Sequence, residues 1–399
     1  MTPALGYTEM KDSGTVWLGE IPSDWEISKI GSLYTQRNEK VSDKDYPPLS
    51  VTMKGILPQL DTAAKTEDGD NRKLVKIGDF AINSRSDRRG SCGISPYNGS
   101  VSLINTILTP RNAMHPGYYN WLFHTSLFAD EFYKWGHGIV DDLWTTRWQE
   151  MKKIIVPVPP YNIQEQISAY LDAQCAKIDE IIAEAKASIE DYKKWKASII
   201  YEAVTKGLDP DVEMKESGVQ WIGQMPSTWG LKKAKNCVSI TNGSDPKTEG
   251  NIPVYGSGAE SFKTCGEYKN GPAVLIGRKG ATLHIPHYIS GRYWNVDTAF
   301  DVRAKEGFLL KYYYYLACSF DYKYYISQTT LPSMTQTNYN NICLPFPPAI
   351  VQEEICRFLD NSIAKIDELV TEKQTLISDL ESYKKSLIYE VVTGKRRVC

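Results

Sequence analysis

The chain copies itself, and that constrains its fold more than any other feature, because each copy must bury a similar core by a similar plan. Glu9-Met10-Lys11-Asp12-Ser13-Gly14, followed by Trp17-Leu18-Gly19, Pro22-Ser23 and Trp25, returns 204 residues later as Glu213-Met214-Lys215-Glu216-Ser217-Gly218, Trp221-Ile222-Gly223, Pro226-Ser227 and Trp229. A second pair lies 188 residues apart. It opens with Pro157-Val158-Pro159-Pro160, runs through Gln164-Glu165, Ile167, Leu171-Asp172 and Lys177-Ile178-Asp179, and closes at Ile200-Tyr201-Glu202 and Thr205. Its copy is Pro345-Phe346-Pro347-Pro348, Gln352-Glu353, Ile355, Leu359-Asp360, Lys365-Ile366-Asp367, Ile388-Tyr389-Glu390 and Thr393. The offsets differ by 16, so the intervening segment is that much shorter in the second half, and the two intervening segments, about 26–156 and 230–344, share little. The plan is motif, variable region, shared segment, given twice.

Each shared segment reads as a long helix. Pro159-Pro160 and Pro347-Pro348 punctuate its start, and no Pro or Gly interrupts until Gly207 or Gly394. Steps of alternately four and three place Ile167, Leu171, Ile178, Ile181, Ala185, Tyr192, Trp195 and Ile199 on one seam, interrupted by Gln174 and Ser188. In the second copy they place Ile355, Leu359, Ile366, Leu369, Leu376, Leu380, Tyr383 and Leu387 there, interrupted by Ser362 and Lys373. Such a pattern predicts a coiled coil. A helix from Asn162 to Lys206 runs about 65 Å at 1.5 Å per residue, more than its own domain covers, so the two helices are expected to pair with each other. Antiparallel pairing sets the variable domains at opposite ends by a pseudo-twofold; parallel pairing stays open at this point.

A length of 399 residues exceeds what one core usually supports. With 42% hydrophobic and 24% charged residues the chain has an ordinary globular composition. The variable regions read as α/β or α+β: 76–82, 100–104 and 273–276 are apolar, β-branched runs bounded by Gly, Asn and Ser. Aromatic-rich helical stretches follow at 118–135 and 309–326, whose tyrosines, Tyr312 to Tyr315 included, suit a core better than a base-stacking platform. No apolar run approaches the roughly 18 to 20 residues of a membrane span, and residues 1–6 lack a signal pattern, so a cytoplasmic protein is expected. The eight cysteines form no C-x-x-C pair and read as reduced thiols.

A net charge of -2 does not announce a nucleic-acid partner, but Arg72 to Arg111 carries seven basic residues against Asp79 and Asp87. Catalytic signatures are missing. Val158-Pro159-Pro160-Tyr161 lacks the carbonyl or hydroxyl that an amino-methyltransferase loop needs ahead of its prolines. Asp211, Glu213 and Lys215 are adjacent in a linker instead of converging on Mg²⁺ from separate strands. Gly256-Ser257-Gly258 and Gly277-Arg278-Lys279-Gly280 match neither a dinucleotide loop nor a P-loop, and His284 and His287 have no third ligand at metal spacing. No catalytic residue, metal or cofactor is expected on this chain.

This tandem plan resembles the specificity (S) subunits of type I restriction-modification systems, the HsdS family, over essentially the whole chain. Two motifs carry the resemblance: Trp-Leu/Ile-Gly-x-x-Pro-x-x-Trp at Trp17–Trp25 and Trp221–Trp229, and a Pro-Pro-x-x-x-Gln helix start leading to Leu-Asp and Ile-Asp at Pro159–Asp179 and Pro347–Asp367. The resemblance implies target-recognition domains at 1–160 and 208–348, each reading one half of a bipartite asymmetric double-stranded DNA sequence. Conserved helices at 161–207 and 349–399 then act as spacer and as dock for two methyltransferase subunits. Those partners, not this chain, bind S-adenosylmethionine and methylate adenine, and restriction/translocase subunits complete the complex. The expected DNA contacts lie in loops that combine Gly with Arg or Lys, namely Ser84, Arg85, Arg88 and Arg89 after one predicted strand and Arg278, Lys279 and Thr282 after another, since Arg grips guanine or phosphate bidentately. A second zone precedes each Pro-Pro, from 136 to Arg147 and from 328 through Thr335 and Gln336; its short polar side chains suit base edges, or equally the capping of a sheet. The rival reading is a two-headed, non-catalytic scaffold that binds protein or glycan.

Overall fold

The computed structural model describes residues 7, 9–59, 69–138, 144–258, 260–326 and 332–398. Two compact units result, Met1–Glu184 with Leu376–Cys399, and Ala185–Thr375.

The first unit contains β1 (Glu26–Lys29), β2 (Tyr34–Arg37), β3 (Phe80–Asn83), β4 (Cys92–Ile94), β5 (Asn105–Pro110), α1 (Pro116–Phe123), β6 (Ile155–Val158) and the first half of α2 (Tyr161–Lys206). Incoming β1 and outgoing β6 pair antiparallel, Glu26 opposite Val158 and Lys29 opposite Ile155, so the variable region leaves where it enters. Within it an antiparallel sheet runs β4-β3-β5-β2. Pro116 starts α1, where its missing N–H costs nothing. The helix buries Tyr118, Tyr119, Leu122 and Phe123. Phe123 packs on Phe80 of β3 and on Phe128, with ring centroids 4.4 and 4.7 Å away.

The second unit repeats the plan with β7 (Gly230–Lys233), β8 (Val238–Asn242), β9 (Ala273–Gly277), β10 (His287–Ile289), β11 (Ala299–Ala304), α3 (Leu310–Ala317), β12 (Cys343–Phe346) and α4 (Ala349–Val392). Incoming β7 pairs with outgoing β12, and the sheet runs β8-β11-β9-β10, the same antiparallel order. The architecture is thus α+β: the strands are joined by loops and short hairpins, and the helix follows the last of them instead of crossing between parallel neighbours. Tyr312, Tyr313 and Tyr315 are buried in this unit's core, as expected of core aromatics.

The repeated motifs make repeated bonds where helix meets sheet. Gln164 is buried; its amide donates to the Pro159 carbonyl (2.8 Å) and accepts from the His115 N–H ahead of α1 (3.0 Å). Gln352 does the same to Pro347 (2.9 Å) and to the Leu309 N–H ahead of α3 (2.8 Å). The motif's glutamine therefore satisfies an orphan helix-start donor and a proline carbonyl at once. One turn or two later, Asp172 accepts from the Trp121 indole (2.9 Å) and Asp360 from the Tyr315 hydroxyl. The other end of each unit is closed by tyrosines: Tyr118 donates to the Val392 carbonyl (2.8 Å) and Tyr389 to Trp17 (3.2 Å) in the first, Tyr312 to Val204 (3.0 Å) and Tyr201 to Ile222 (3.2 Å) in the second.

The helices α2 and α4 pack together antiparallel. Asp179 pairs with Lys384 at 2.6 Å and Asp367 with Lys196 at 2.7 Å, so a step of seventeen residues forward along α2 matches the same step backward along α4. The pairing is as expected, and the seam keeps most of its expected positions but shifts phase. It follows Ile167, Leu171, Cys175, Ile178, Ile182, Ala185 and Ile189 in α2 and, offset by 188, Ile355, Leu359, Ile363, Ile366, Val370, Lys373 and Ile377 in α4. Two consecutive four-residue steps, 167-171-175 and 355-359-363, shift the phase, which a stutter in a heptad does. Ile181, Trp195, Leu376 and Tyr383, expected on the seam, instead stand 44%, 52%, 39% and 48% exposed. Among the described residues no helix is long and apolar enough to cross a membrane.

Candidate nucleic-acid interface

Strand β3 is fully buried and stops at Asn83, whose side-chain oxygen accepts the Arg85 N–H at 3.0 Å and so turns the chain out of the sheet. Ser84 points inward: it is buried, with its hydroxyl 3.0 Å from that of Thr106. Arg85 is exposed, and Ser86–Arg88 form one 3₁₀ turn that leaves the Arg88 side chain 69% exposed beside Asp87 (3.6 Å). Arg89 is ion-paired with Asp130 and stands 5.7 Å over the Tyr133 ring. Burial is the main reason the Tyr133 phenol is pushed above its ordinary range.

The zone ahead of the first Pro-Pro meets this loop through the backbone. Ser86 N–H donates to Trp144 (3.1 Å), Thr146 N–H to Ser84 (3.0 Å), and Thr145 exchanges bonds with His137 (3.0 and 3.1 Å). Gly136 is required here, because a Cβ would stand 2.2 Å from the Trp144 indole nitrogen. Arg147 follows, exposed, just before a turn of helix at Trp148–Met151. The residues at 139–143 of this zone lie outside the described residues. Of the seven cations between 72 and 111, three are tied into the fold: Arg72 on the Ser100 hydroxyl (2.8 Å), Lys73 on the Asn105 carbonyl (2.6 Å) and Arg111 on the Tyr34 carbonyl (3.0 Å).

In the second unit the loop after β9 is placed in the same way. Gly280 N–H donates to Pro332 and Met334 N–H to Arg278, both at 3.0 Å, so the loop after the strand and the zone ahead of the second Pro-Pro again lie together. Gly280 has φ +113°, and a Cβ there would sit 2.9 Å from the Ser257 hydroxyl. The Arg278 guanidinium is 3.3 Å from the Asp297 carbonyl and 6.0 Å over the Phe300 ring. Lys279 is half-buried and bridges to Ser333, and the Thr282 hydroxyl lies 3.4 Å from that of Ser257. Thr335 caps Gln336–Asn341 by accepting the Asn338 N–H (3.1 Å), and Gln336 donates to the Ile240 carbonyl of β8. These two side chains take the capping role. The positions 328–331 lie outside the described residues. His284 is exposed and His287 half-buried, its pKa lowered by burial; among the described residues no three His, Cys, Asp or Glu side chains gather as a metal site.

Sequence reasoning missed one feature of this face. A hairpin lies beside this face in each unit: Leu49–Thr52 with Gly55–Pro58 brings Gly55 against Gly93 of β4, the strand after the Arg85–Arg89 loop, and Ile252–Tyr255 with Ser261–Cys265 brings Ser257 against Gly280 of the loop after β9. The Lys54-Gly55 turn pair was the available signal, but the flanking strands are only four residues long.

Comparison with known proteins agrees with the geometry. Residues 228–378 match the family model for a type I restriction modification DNA specificity domain. The putative type I restriction enzyme MjaX specificity subunit of Methanocaldococcus jannaschii is 22% identical over 96% of each chain. The MjaVIII specificity subunit of the same organism is 26% identical over 56% of this chain and 51% of that protein. Among solved structures, a chain from a study of complex assembly and conformational transition of the type I R-M system superposes with TM-score 0.74 at 13% identity, over 93% of this chain and 98% of that one. The HsdS subunit from Thermoanaerobacter tengcongensis superposes with TM-score 0.54 at 15% identity, over 94% and 98%.

Proposed function

We propose, from the premise that the chain belongs to the family of type I restriction-modification specificity subunits, that each of its two units reads one half of a bipartite, asymmetric DNA target. DNA recognition follows from the family; the division of labour is inferred from the fold. The observation that carries it is the repeated meeting of two loops. In each unit a cationic loop leaves the same strand of the same sheet and bonds to the segment ahead of the helix start, while the shared motifs are consumed at the helix junction. Variable residues are thus gathered on the loop face of each sheet. Arg85, Arg88, Arg147 and the Asp130-paired Arg89 are exposed cations there in the first unit, Arg278 and Lys279 half-buried ones in the second, and cations of this kind bind phosphate or guanine.

The chain itself performs no chemistry in this reading. The paired helices are the spacer and the dock for two methyltransferase subunits, which carry S-adenosylmethionine and methylate adenine; restriction/translocase subunits join in the full complex. Outward apolar residues support docking, Ile181, Leu376 and Tyr383 in the first unit and Trp195 in the second, because an exposed apolar side chain on a helix is what a partner can cover.

The test is an exchange of residues 26–156, whose ends are already paired as β1 and β6. Placing another reader between those strands is expected to change one half of the methylated sequence and leave the other intact; a change in both halves overturns independent reading. Binding to duplex DNA should weaken steeply with salt, whereas a scaffold for proteins or glycans shows no duplex binding.

A further inference from the structure

The Thr52–Gly55 hairpin tip of the first unit has no structural task that explains its side chains. Its stem is anchored: Leu49 and Ile56 are buried with Val75, Ala81, Val101 and Ile107. The turn is pre-formed, with the Thr52 hydroxyl donating to the Gly55 carbonyl (2.9 Å) and accepting the Lys54 N–H (3.1 Å), and with Gly55 at φ +100° supplying the left-handed residue that a tight hairpin of this kind needs. Yet Met53 is 72% exposed, and Lys54 is exposed and makes no ion pair among the described residues. A rigid turn is holding an apolar side chain and a cation out in water.

The place of this tip is informative. A Cβ on Gly93 would meet the Gly55 Cα at 2.9 Å, so the hairpin lies directly on β4, the strand that follows the Arg85–Arg89 loop. In the second unit the corresponding hairpin tip touches the corresponding loop, Ser257 against Gly280 and Thr282. There the turn runs from Gly256 to Glu260, and its described residues Gly256, Ser257, Gly258 and Glu260 offer an acid in place of a cation. A hairpin thus packs on the strand after the loop in one unit and on the loop itself in the other, and the chemistry at its tip differs, as a reading element should.

We propose that the Thr52–Gly55 tip is a second DNA-contacting finger of the first unit, with the Lys54 ammonium on a backbone phosphate and the Met53 thioether against a base edge, on the strand that follows the Arg85–Arg89 loop. Lysine suits the first role as a compact charge on a flexible stem. Methionine suits the second because its unbranched, polarisable side chain adapts to an apolar contact such as a thymine methyl. The inference rests on the DNA-recognition reading above.

The experiment uses the full chain co-purified with its partners, a pool of randomised duplexes, and binding measured across a salt series. Lys54→Ala is expected to weaken binding to all duplexes alike and to make the salt slope shallower by about one, with Lys54→Arg restoring both. Met53→Ala is expected to change base preference on the order of fivefold at positions in one half of the selected sequence only. Both variants should unfold at the wild-type temperature, since the two side chains are exposed. Wild-type affinity, slope and preference in both variants, with the wild type itself binding selectively, overturn the finger and leave the general reading standing. A loss of methyltransferase association with unchanged DNA preference overturns it in favour of a protein contact. Failure of the wild type to bind any duplex overturns the DNA-recognition reading first.

Discussion

At the junction between long helix and sheet the two units make the same bonds, whereas on the loop face they place different side chains in the same positions. The glutamine at 164 or 352 and the tyrosine at 118 or 312 each keep one partner type in both units, and the aspartate at 172 or 360 accepts from an aromatic side chain of the short helix, an indole in one unit and a phenol in the other. On the loop face, Arg88 is open to solvent whereas Lys279 is half-buried, and the first unit's hairpin turns through Met53 and Lys54 whereas the second's turns through a longer segment with Gly256, Ser257, Gly258 and Glu260. The lesson is that repetition in this sequence reports mechanical constraint, whereas divergence is confined to the face that the proposed reading assigns to DNA. A buried side-chain amide that must satisfy a proline carbonyl and a helix-start N–H has few substitutes, while a solvent-facing loop has many.

The junctions are not quite equal, and the largest expected effect exploits that. Gly207 and Gly394 both end a long helix with φ near +70 to +80° (+79° and +71°), the left-handed residue that terminates helices. An alanine at either is expected to cost about 1–2 kcal/mol for the backbone alone. At Gly207 the added methyl would stand 3.1 Å from the Trp229 ring, but at Gly394 it would stand 2.3 Å from Pro22, a rigid ring that cannot swing away. Gly394→Ala should therefore lose about 1–3 kcal/mol more than Gly207→Ala through overpacking, read as a lower denaturant midpoint. Equal losses would break the asymmetry.

Next in size are the glutamines. Gln164→Ala and Gln352→Ala each strand a buried proline carbonyl and a helix-start N–H, for about 1–3 kcal/mol per variant. Here the two units are expected to respond nearly alike in urea unfolding, because the two shared bonds match to within a few tenths of an ångström and Gln352 adds only a longer one to the Gly307 carbonyl (3.3 Å). A large loss in one unit alone would mean that the matched geometry hides a difference in how well each site is sealed from water.

Much of this was legible in the residues. The repeat, the two helices and the helix-start glutamines could be read from spacing, since a copied motif around a Pro-Pro is local in sequence. The heptad phase was misread, because alternating four and three from Leu171 lands on Gln174 and Ile181, whereas the helix takes a second four-residue step to Cys175 and then buries Ile182. In the first copy the stutter is easily taken for polar breaks in an unshifted pattern. It shows only as the two apparent interruptions, Gln174 and Ser188, each one residue before a buried seam position. The two candidate loop zones were found singly, but their meeting was not, because Ser86 and Trp144 are joined only through the folded sheet. Ser84, Thr335 and Gln336 had the right polarity for a base contact, yet their bonds turn inward or cap a helix and a strand, which composition alone does not disclose.

The smallest expected effect concerns the two ion pairs between the helices, and it separates register from stability. Lys196 and Lys384 occupy seam positions, where the pattern asks for an apolar residue, and each is half-buried while its ammonium reaches an aspartate on the facing helix. Their stems fill the seam and their charges escape it, as long cationic side chains do. Because Asp179 and Asp367 are 60% and 55% exposed, a double-mutant cycle at either pair should give a coupling of about 0.2–1 kcal/mol that shrinks as salt rises. Replacing Lys384 with Leu should then leave stability unchanged or raise it, since the seam gains an apolar side chain and the aspartate stays in water. What it should lose is discrimination: a slip of one helix past the other sets the charges out of register, and without the lysine that penalty is gone. A coupling of several kcal/mol in either pair, or a Lys384→Leu protein much less stable than wild type, would show that the pairs hold the helices together and do not merely fix their alignment.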